Sequence, residues 1–256
     1  FAHGIGNTAV SSQWWSRPDD QKFLSLDDML AFKKIDAQRM TSRTVDTHKM
    51  QIVGDVDPEN PSRGEISIEY TDGDRREHLN TPTNWSFGQL SQLAGAPAGY
   101  LRDLPAPIAA DCLQWGLRHN RSKELVKVYG HQSDGGELRA ATGPDYGRIY
   151  DWEILEPIKN LVEQSGGRWK VPGMMPGSRD GMAVYDPDIP VSMDTTTLFA
   201  SDRDVFVFLV DDRNPIEVGK LANGDPDLMF RGFYAWNSET GSKTAGIAAM
   251  YLRGVC

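Results

Sequence analysis

A run of apolar residues from Val205 to Val210 constrains the fold of this chain more than any other stretch. A strand with one face in water alternates apolar and polar side chains, whereas a continuous apolar run fits a central strand covered on both faces. The polar pair Asp211 and Asp212 ends the run. The sequence therefore predicts a sheet that is packed on two sides here, with a buried helix as the alternative.

Further signals along the chain indicate both helices and hairpins. Asp72-Gly73 is typical of a hairpin turn, and alternating apolar residues precede it; a second hairpin is predicted from residues 124–130 and 137–142. Helices are predicted at 86–93, 98–104 and 107–119, and a further one behind Asp151 as its cap, ending at Gly166 and Gly167. We therefore predict an α+β fold: a mostly antiparallel, multi-stranded sheet with packed helices and a short helical block around residues 86–119.

An earlier helix is predicted after Ser25, which we expect to be its N-cap. Its expected buried stripe comprises Leu26, Met29, Leu30 and Ile35. For the domains we expect an N-terminal arm, helix and hairpin over 1–85, followed by an α+β domain over 86–256. One continuous domain is the alternative, because 256 residues fall within the size range of a single elaborated domain.

Composition and terminal sequence exclude several classes of protein. No stretch approaches the ~18 consecutive apolar residues of a membrane-spanning helix, and the N-terminal residues lack the pattern of a secretory signal. Cys112 and Cys256 lie far apart in sequence and fit neither a disulfide framework nor a zinc pattern. We therefore expect a cytoplasmic protein with no membrane partner, no metal and no cofactor.

Two stretches invite comparison with phosphate chemistry. A loop that binds nucleoside triphosphates requires a glycine directly before its lysine. In Gly241-Ser-Lys243-Thr244 a serine separates the two, so no such loop is predicted. The acids Asp204, Asp211, Asp212 and Glu217 could hold a divalent cation if the fold brought them together. Turn formation is the simpler interpretation of Asp211 and Asp212.

The densest group of basic residues follows the helical block. It comprises Arg118, Arg121, Lys123 and Lys127, and it ends near Tyr129. Cations interleaved with an aromatic ring suit a single nucleic-acid strand, because the cations follow the phosphates while the ring stacks on a base. We predict these roles for the four cations and for Tyr129. The alternative is a positive helix C-terminus followed by a solvated strand edge.

Three sequence motifs resemble those of a known family. They are Tyr146-Gly-Arg-Ile-Tyr-Asp151-Trp-Glu153, Phe233-Tyr-Ala-Trp-Asn237-Ser-Glu-Thr-Gly241 and the closing Leu252-Arg-Gly-Val-Cys256. From about Gly88 to Cys256 the chain resembles a phage and plasmid family catalogued as a domain of unknown function. The resemblance implies replication, recombination or host takeover in the host-cell cytoplasm. It supplies no catalytic residues. Separately, a helix followed by a multi-stranded antiparallel sheet looks broadly like the single-strand annealing proteins, a similarity of architecture alone.

The leading hypothesis is a non-enzymatic phage or plasmid protein that binds single-stranded DNA in replication, recombination or transcription, with homo-oligomers as an expected form. The net charge of −9 opposes non-specific binding to duplex DNA. One alternative is an acidic protein-interaction module that blocks or recruits a replication or transcription protein of the phage or host. The other is a metal-dependent nuclease built on the four acids named above.

Overall fold

The α+β class is confirmed by the computed structural model, in which helix accounts for 29% and strand for 40%. The structure describes residues 17–59, 64–119, 125–178 and 182–254. Instead of one sheet, the described residues form two six-stranded sheets and a separate two-stranded one.

Five α-helices lie in the described part of the chain: α1 (Leu26–Arg39), α2 (Asn84–Leu93), α3 (Ala98–Asp103), α4 (Ala106–His119) and α5 (Asp151–Gln164). The strands described there are β1 (Lys22–Phe23), β2 (Met40–Asp46), β3 (Gln51–Val56), β4 (Gly64–Thr71), β5 (Glu77–Pro82), β6 (Leu125–His131), β7 (Gly136–Thr142), β8 (Trp169–Lys170), β9 (Met174–Ser178), β10 (Met182–Tyr185), β11 (Leu198–Ala200), β12 (Val205–Lys220), β13 (Pro226–Asn237) and β14 (Gly246–Arg253).

The chain divides into two compact units. Within the described ranges, the first unit takes the residues that fall in Ile35–Arg148 and Thr240–Ser242, and the second takes those that fall in 17–34, Ile149–Glu239 and 243–254. The domain boundary predicted between residues 85 and 86 falls inside the first unit.

The sheet of the first unit is strongly curled. Its strand order is β2-β6-β7-β5-β4-β3, so β2 and β3 are consecutive in the chain but lie at opposite edges. The five steps from Asp46 to Gln51 span at most about 18 Å, whereas six strands laid flat would be about 24 Å wide. The sheet must therefore bend until its edges approach each other. Consistent with this, Arg43 Nε on β2 lies 3.6 Å from Asp72 Oδ2, just after β4.

Helices α2, α3 and α4 share one core with this curled sheet. Phe87, Leu90 and Leu113 from the helices are buried with Ile68 and Val126 from the strands. The predicted helical block is confirmed to within a few residues at each end. Both predicted hairpins are confirmed as well, as the antiparallel pairs β4 with β5 and β6 with β7.

The predicted central strand is β12 of the second unit. The sheet order there is β1-β11-β12-β13-β14, and β8 also pairs with β12. Alternate residues from Val205 to Leu209 pack with α1 and α5, while those from Phe206 to Val210 pack with residues of β9, β10 and β13 on the opposite face. The prediction of a strand covered on both faces is therefore confirmed.

Helix α1 begins at the predicted cap but buries a different set of side chains. Ser25 Oγ accepts the backbone N–H of Asp28 at 3.1 Å. The predicted burial of Leu26, Met29 and Leu30 is confirmed, but the prediction is wrong for Ile35, which is 51% exposed. A lysine, Lys33, is buried instead at 1% exposure, because it pairs with a buried carboxylate that the helical period could not reveal.

Candidate nucleic-acid interface

The described members of the predicted basic patch lie in different settings. Arg118 is exposed in the last turn of α4, where a cation also interacts favourably with the helix dipole. Lys127, on β6, is half-buried and donates from Nζ to the main-chain oxygen of Tyr146 at 3.0 Å. Arg121 and Lys123 lie outside the described residues. Of the two described cations in the patch, Arg118 is the exposed one.

Tyr129 does not have the predicted role. Its side chain is 1% exposed, on a strand that lies between β2 and β7. The guanidinium carbon of Arg148 lies 4.2 Å from the ring centroid and covers the ring. The prediction that Tyr129 stacks on a base is therefore wrong, because the cation–π contact already occupies the face that a base would need.

The four acids of the predicted nuclease site do not converge. Three of them have separate cationic partners: Arg17 with Asp204, Arg168 with Asp211, and Lys170 with Asp212. Glu217 is exposed in the outer half of β12. Among the residues that the structure describes, no three or more His, Cys, Asp or Glu side chains form a group that could hold a metal ion. The described side chains therefore do not form the shared carboxylate site that the nuclease alternative requires.

Two of the motifs noted in the sequence meet at the N-terminus of α5. Asn237 Nδ2 donates to Asp151 Oδ1 at 2.8 Å, and Glu239 Oε1 accepts the backbone N–H of Asp151 at 2.8 Å. Lys33 Nζ lies 2.8 Å from Asp151 Oδ2, and both side chains are 1% exposed. Burial raises the pKa of Asp151 to about 6, against the attraction of Lys33, which lowers it. These residues form a buried charge network, which has a structural role.

A cavity of about 350 Å³ in the first unit lies against Tyr70 and His78. His78 Nε2 lies 2.9 Å from Asp72 Oδ2, and Asp72 Oδ1 accepts the backbone N–H groups of Asp74 and Arg76. These hydrogen bonds lower the pKa of the Asp72 carboxyl, and the one with His78 has the largest effect. The His78–Asp72 pair therefore fixes the turn between β4 and β5.

A different set of cations and rings comes together on the sheet of the second unit. Trp169, Asp211, Arg231 and Tyr251 are direct Cα partners in a row across β8, β12, β13 and β14. Directly opposite residues of antiparallel strands project from the same face. Two residues further along, Phe233 continues this face, and its ring meets that of Trp169 edge-on at 5.0 Å.

The outer part of this face is open to solvent. Along β14, Ile247 and Tyr251 are 68% and 60% exposed, and alternate residues of that strand are exposed throughout. The side chains of Arg168, Arg231 and Arg253 are 50%, 43% and 63% exposed. We refer to the following set as the arginine–aromatic strip: Arg168, Trp169, Arg231, Phe233, Tyr251 and Arg253.

Two buried acids hold the arginines of the strip in place. Arg168 Nε donates to Asp211 Oδ2 at 2.8 Å, and Arg253 Nε donates to Asp227 Oδ1 at 3.0 Å. Burial raises the pKa of Asp211, but the hydrogen bonds from Arg168, Asn214 and the backbone N–H of Arg213, together with the charge of Arg168, outweigh it, so the pKa is held below its ordinary value. Arg231 Nη2 lies 4.0 Å from Asp211 Oδ2 and donates to a main-chain oxygen at 3.3 Å. With three arginines and two aspartates, the strip and its supporting acids carry a net charge of +1.

Sequence reasoning missed this strip because its members lie between residues 168 and 253 and share a surface only through the register of four strands. Strand β14 gave a weak signal, since Ile247 to Leu252 is apolar at nearly every position, so the exposed and covered faces look alike. The one local clue is the alternation of Arg231 and Phe233 on β13.

No helix in the described ranges is both long and apolar enough to cross a membrane. Comparison of the chain with protein-family models, curated proteins and solved structures found no match.

Proposed function

We propose that this chain binds single-stranded DNA across the arginine–aromatic strip of its second unit. The observation that carries the proposal is the row of paired residues that sets an exposed tyrosine, Tyr251, beside a half-exposed arginine, Arg231. A single strand presents unpaired bases to stack on rings and phosphates to meet cations, and both kinds of partner are present on this face.

The chemistry of Tyr251 and of the arginines suits this task. Tyr251 offers an open ring, 60% exposed, and none of the described side chains covers it as Arg148 covers Tyr129. Each guanidinium has five N–H donors in a planar fork, so Arg168 and Arg253 retain donors after pairing with Asp211 and Asp227. The acids thus orient the arginines and leave them able to contact phosphate.

The resemblance to a phage and plasmid family supports replication, recombination or transcription as the process served. In each of these processes single strands are exposed, and a binder that stacks bases accepts any sequence. A non-enzymatic role fits this surface, which offers positioning groups for a strand.

The proposal is tested by fluorescence anisotropy of a labelled single-stranded oligonucleotide titrated with the protein at low salt. We expect saturable binding, and we expect Tyr251→Ala to weaken it by about 1–3 kcal/mol, the contribution of one base–aromatic stack. Arg231→Gln is expected to weaken binding as well and to reduce its dependence on salt. A duplex of the same sequence should bind less tightly because its bases are not available for stacking.

Matched controls lie on the first unit. Tyr100 is 63% exposed, close to the 60% of Tyr251, so Tyr100→Ala removes an equally open ring elsewhere. Arg118→Gln removes an exposed arginine of the patch predicted from sequence. Both controls should bind like the wild type. If Arg118→Gln lost DNA binding and Arg231→Gln did not, the binding site would lie at the end of α4, which would contradict the proposal that the strip binds DNA.

A protein-interaction module is the second candidate, favoured by the outer face of α4. Ile108, Cys112 and Trp115 follow one helical stripe and are exposed, Trp115 at 66%. An apolar stripe of this kind fits a hydrophobic groove on another protein. For this function, Trp115→Ala should abolish partner capture that Tyr100→Ala retains, and the capture should persist at high salt, unlike binding to DNA.

A further inference from the structure

Strand β14 forms one edge of the six-stranded sheet in the second unit. It pairs with β13 in continuous register over all eight of its residues, without a bulge. Among the described residues no strand pairs with its other side, and Gly254, just after β14, bridges Tyr185 at the end of this edge. A straight, open edge of this length is a template for pairing with a further strand.

Alternate residues of β14 direct their main-chain groups away from β13. The N–H of Gly254 donates to the main-chain oxygen of Leu228 on β13 at 2.9 Å. Hydrogen-bonded and non-hydrogen-bonded residues alternate along an antiparallel pair, so the even-numbered residues of β14 are the ones bonded to β13. The N–H and C=O groups of Ile247, Ala249 and Tyr251 therefore point outwards, where no described strand lies.

This edge lacks the features by which proteins usually prevent edge pairing. From Gly246 to Leu252 the sequence contains neither a charged residue nor a proline, and charges, prolines and bulges are the common protections. The large apolar side chains of Ile247 and Tyr251 are 68% and 60% exposed. Two copies of the chain, each with a net charge of −9, can therefore approach along this edge without like charges facing each other.

The exposed side chains are placed symmetrically about a small residue. Ile247 and Tyr251 each lie two residues from Ala249, and all three project from the exposed face of β14. If an identical strand runs antiparallel with Ala249 opposite Ala249, Ile247 of each copy lies opposite Tyr251 of the other. Pairs of a β-branched and an aromatic side chain stabilise antiparallel strands. The same register satisfies the outward main-chain groups of all three residues with about six hydrogen bonds.

We propose that this chain forms a two-fold symmetric dimer in which β14 pairs antiparallel with β14 of a second copy, centred on Ala249. A two-fold dimer is the commonest closed assembly of identical chains. The dimer joins the two six-stranded sheets into one continuous sheet. It does not rest on the DNA-binding proposal, because main-chain groups form the pairing and the dimer is tested without DNA.

Sedimentation velocity of the full chain over about a hundred-fold range of concentration tests the dimer. We expect the wild type to change from monomer to dimer as its concentration rises. Ala249→Pro removes the central outward N–H and should remain monomeric throughout. Because that N–H does not point towards β13, a proline at this edge position leaves the pairing of β13 with β14 intact, which circular dichroism and the urea midpoint check.

A pair of charge variants tests the register without a proline. Ala249→Lys and Ala249→Glu each place like charges opposite one another at the two-fold axis, so each should weaken dimerisation by up to about five-fold. An equimolar mixture of the two should recover dimerisation, because lysine then faces glutamate. The matched control is Val218→Lys, which changes the charge at a 49% exposed apolar residue of β12 and should dimerise like the wild type.

A wild type that stays monomeric at every concentration would overturn the proposal. A dimer that persists in Ala249→Pro would overturn it as well, because the interface would then lie elsewhere. If the mixture of the lysine and glutamate variants dimerised no better than either alone, Ala249 would not face itself across the axis. DNA binding by a monomeric wild type would leave the proposed function standing while this inference failed, so the two failures are distinguishable.

Discussion

A single buried ion pair supports the N-terminus of α5. Lys33 Nζ contacts Asp151 and also donates to the main-chain oxygen of Ser201 at 2.8 Å. We expect Lys33→Met to lower the free energy of unfolding at pH 8 by about 3–5 kcal/mol, because it leaves a carboxylate buried without its cation. Urea denaturation at fixed pH measures this loss.

The same variant should show a characteristic pH dependence. The pKa of Asp151 is about 6 in the wild type, above the ordinary aspartate value, and losing the attraction of Lys33 raises it further. A group whose pKa is raised by folding contributes stability at low pH and loses that contribution as the pH rises through the folded-state value. Relative to the wild type, Lys33→Met should therefore be less destabilised at pH 5 than at pH 8.

The double variant Lys33→Met with Asp151→Asn serves as the control for the ion pair. It leaves no charge at this position, and the asparagine can still accept the hydrogen bond from Asn237. We expect it to recover most of the stability lost at pH 8 and to show no excess pH dependence. An equal loss in Lys33→Met at both pH values would show that Asp151 is not the buried charge.

At the scale of elements, a close helix contact in the first unit depends on a glycine. A Cβ placed on Gly116 of α4 would lie 2.3 Å from the main-chain oxygen of Ala94, at the end of α2. Helix propensity alone predicts that Gly116→Ala stabilises the protein by up to about 1 kcal/mol. We expect the opposite, a loss of about 1–3 kcal/mol in thermal or urea denaturation, because α2 and α4 must move apart.

Gly88, in the interior of α2, is the matched control. A Cβ there would meet its nearest neighbour, Arg102 Nη2, at 3.5 Å, which is an ordinary contact. Gly88→Ala should therefore show the favourable effect of helix propensity, on the order of 0.5–1 kcal/mol. Stabilisation of similar size in both variants would contradict the close packing at Gly116.

Elements with strong local signals could be predicted, whereas surfaces that depend on register could not. The apolar run of β12 requires cover on both faces wherever it lies, and Pro97 and Pro105 divide the helical block without help from other parts of the chain. The burial of Tyr129 could not be predicted, because it depends on Arg148 lying across the ring. Likewise, nothing local to Arg231 or Tyr251 indicates that they are paired across β13 and β14.

At the scale of the whole molecule, the net charge of −9 opposes binding to DNA, so the salt dependence of binding should come from the cations of the strip. Each phosphate neutralised on a single strand contributes about −0.7 to the slope of log affinity against log salt concentration. Three arginines in the strip therefore predict a slope of about −2, and Arg231→Gln should reduce its magnitude by about 0.7. Tyr251→Ala should lower the affinity while leaving the slope unchanged, because it removes stacking and no charge.

A titration series from low to physiological salt with these two variants separates the contributions of stacking and of charge. If Arg231→Gln left the slope unchanged, the guanidinium of Arg231 would not contact phosphate in the wild type. That result would contradict the proposal that the arginines of the strip bind the phosphates of the strand.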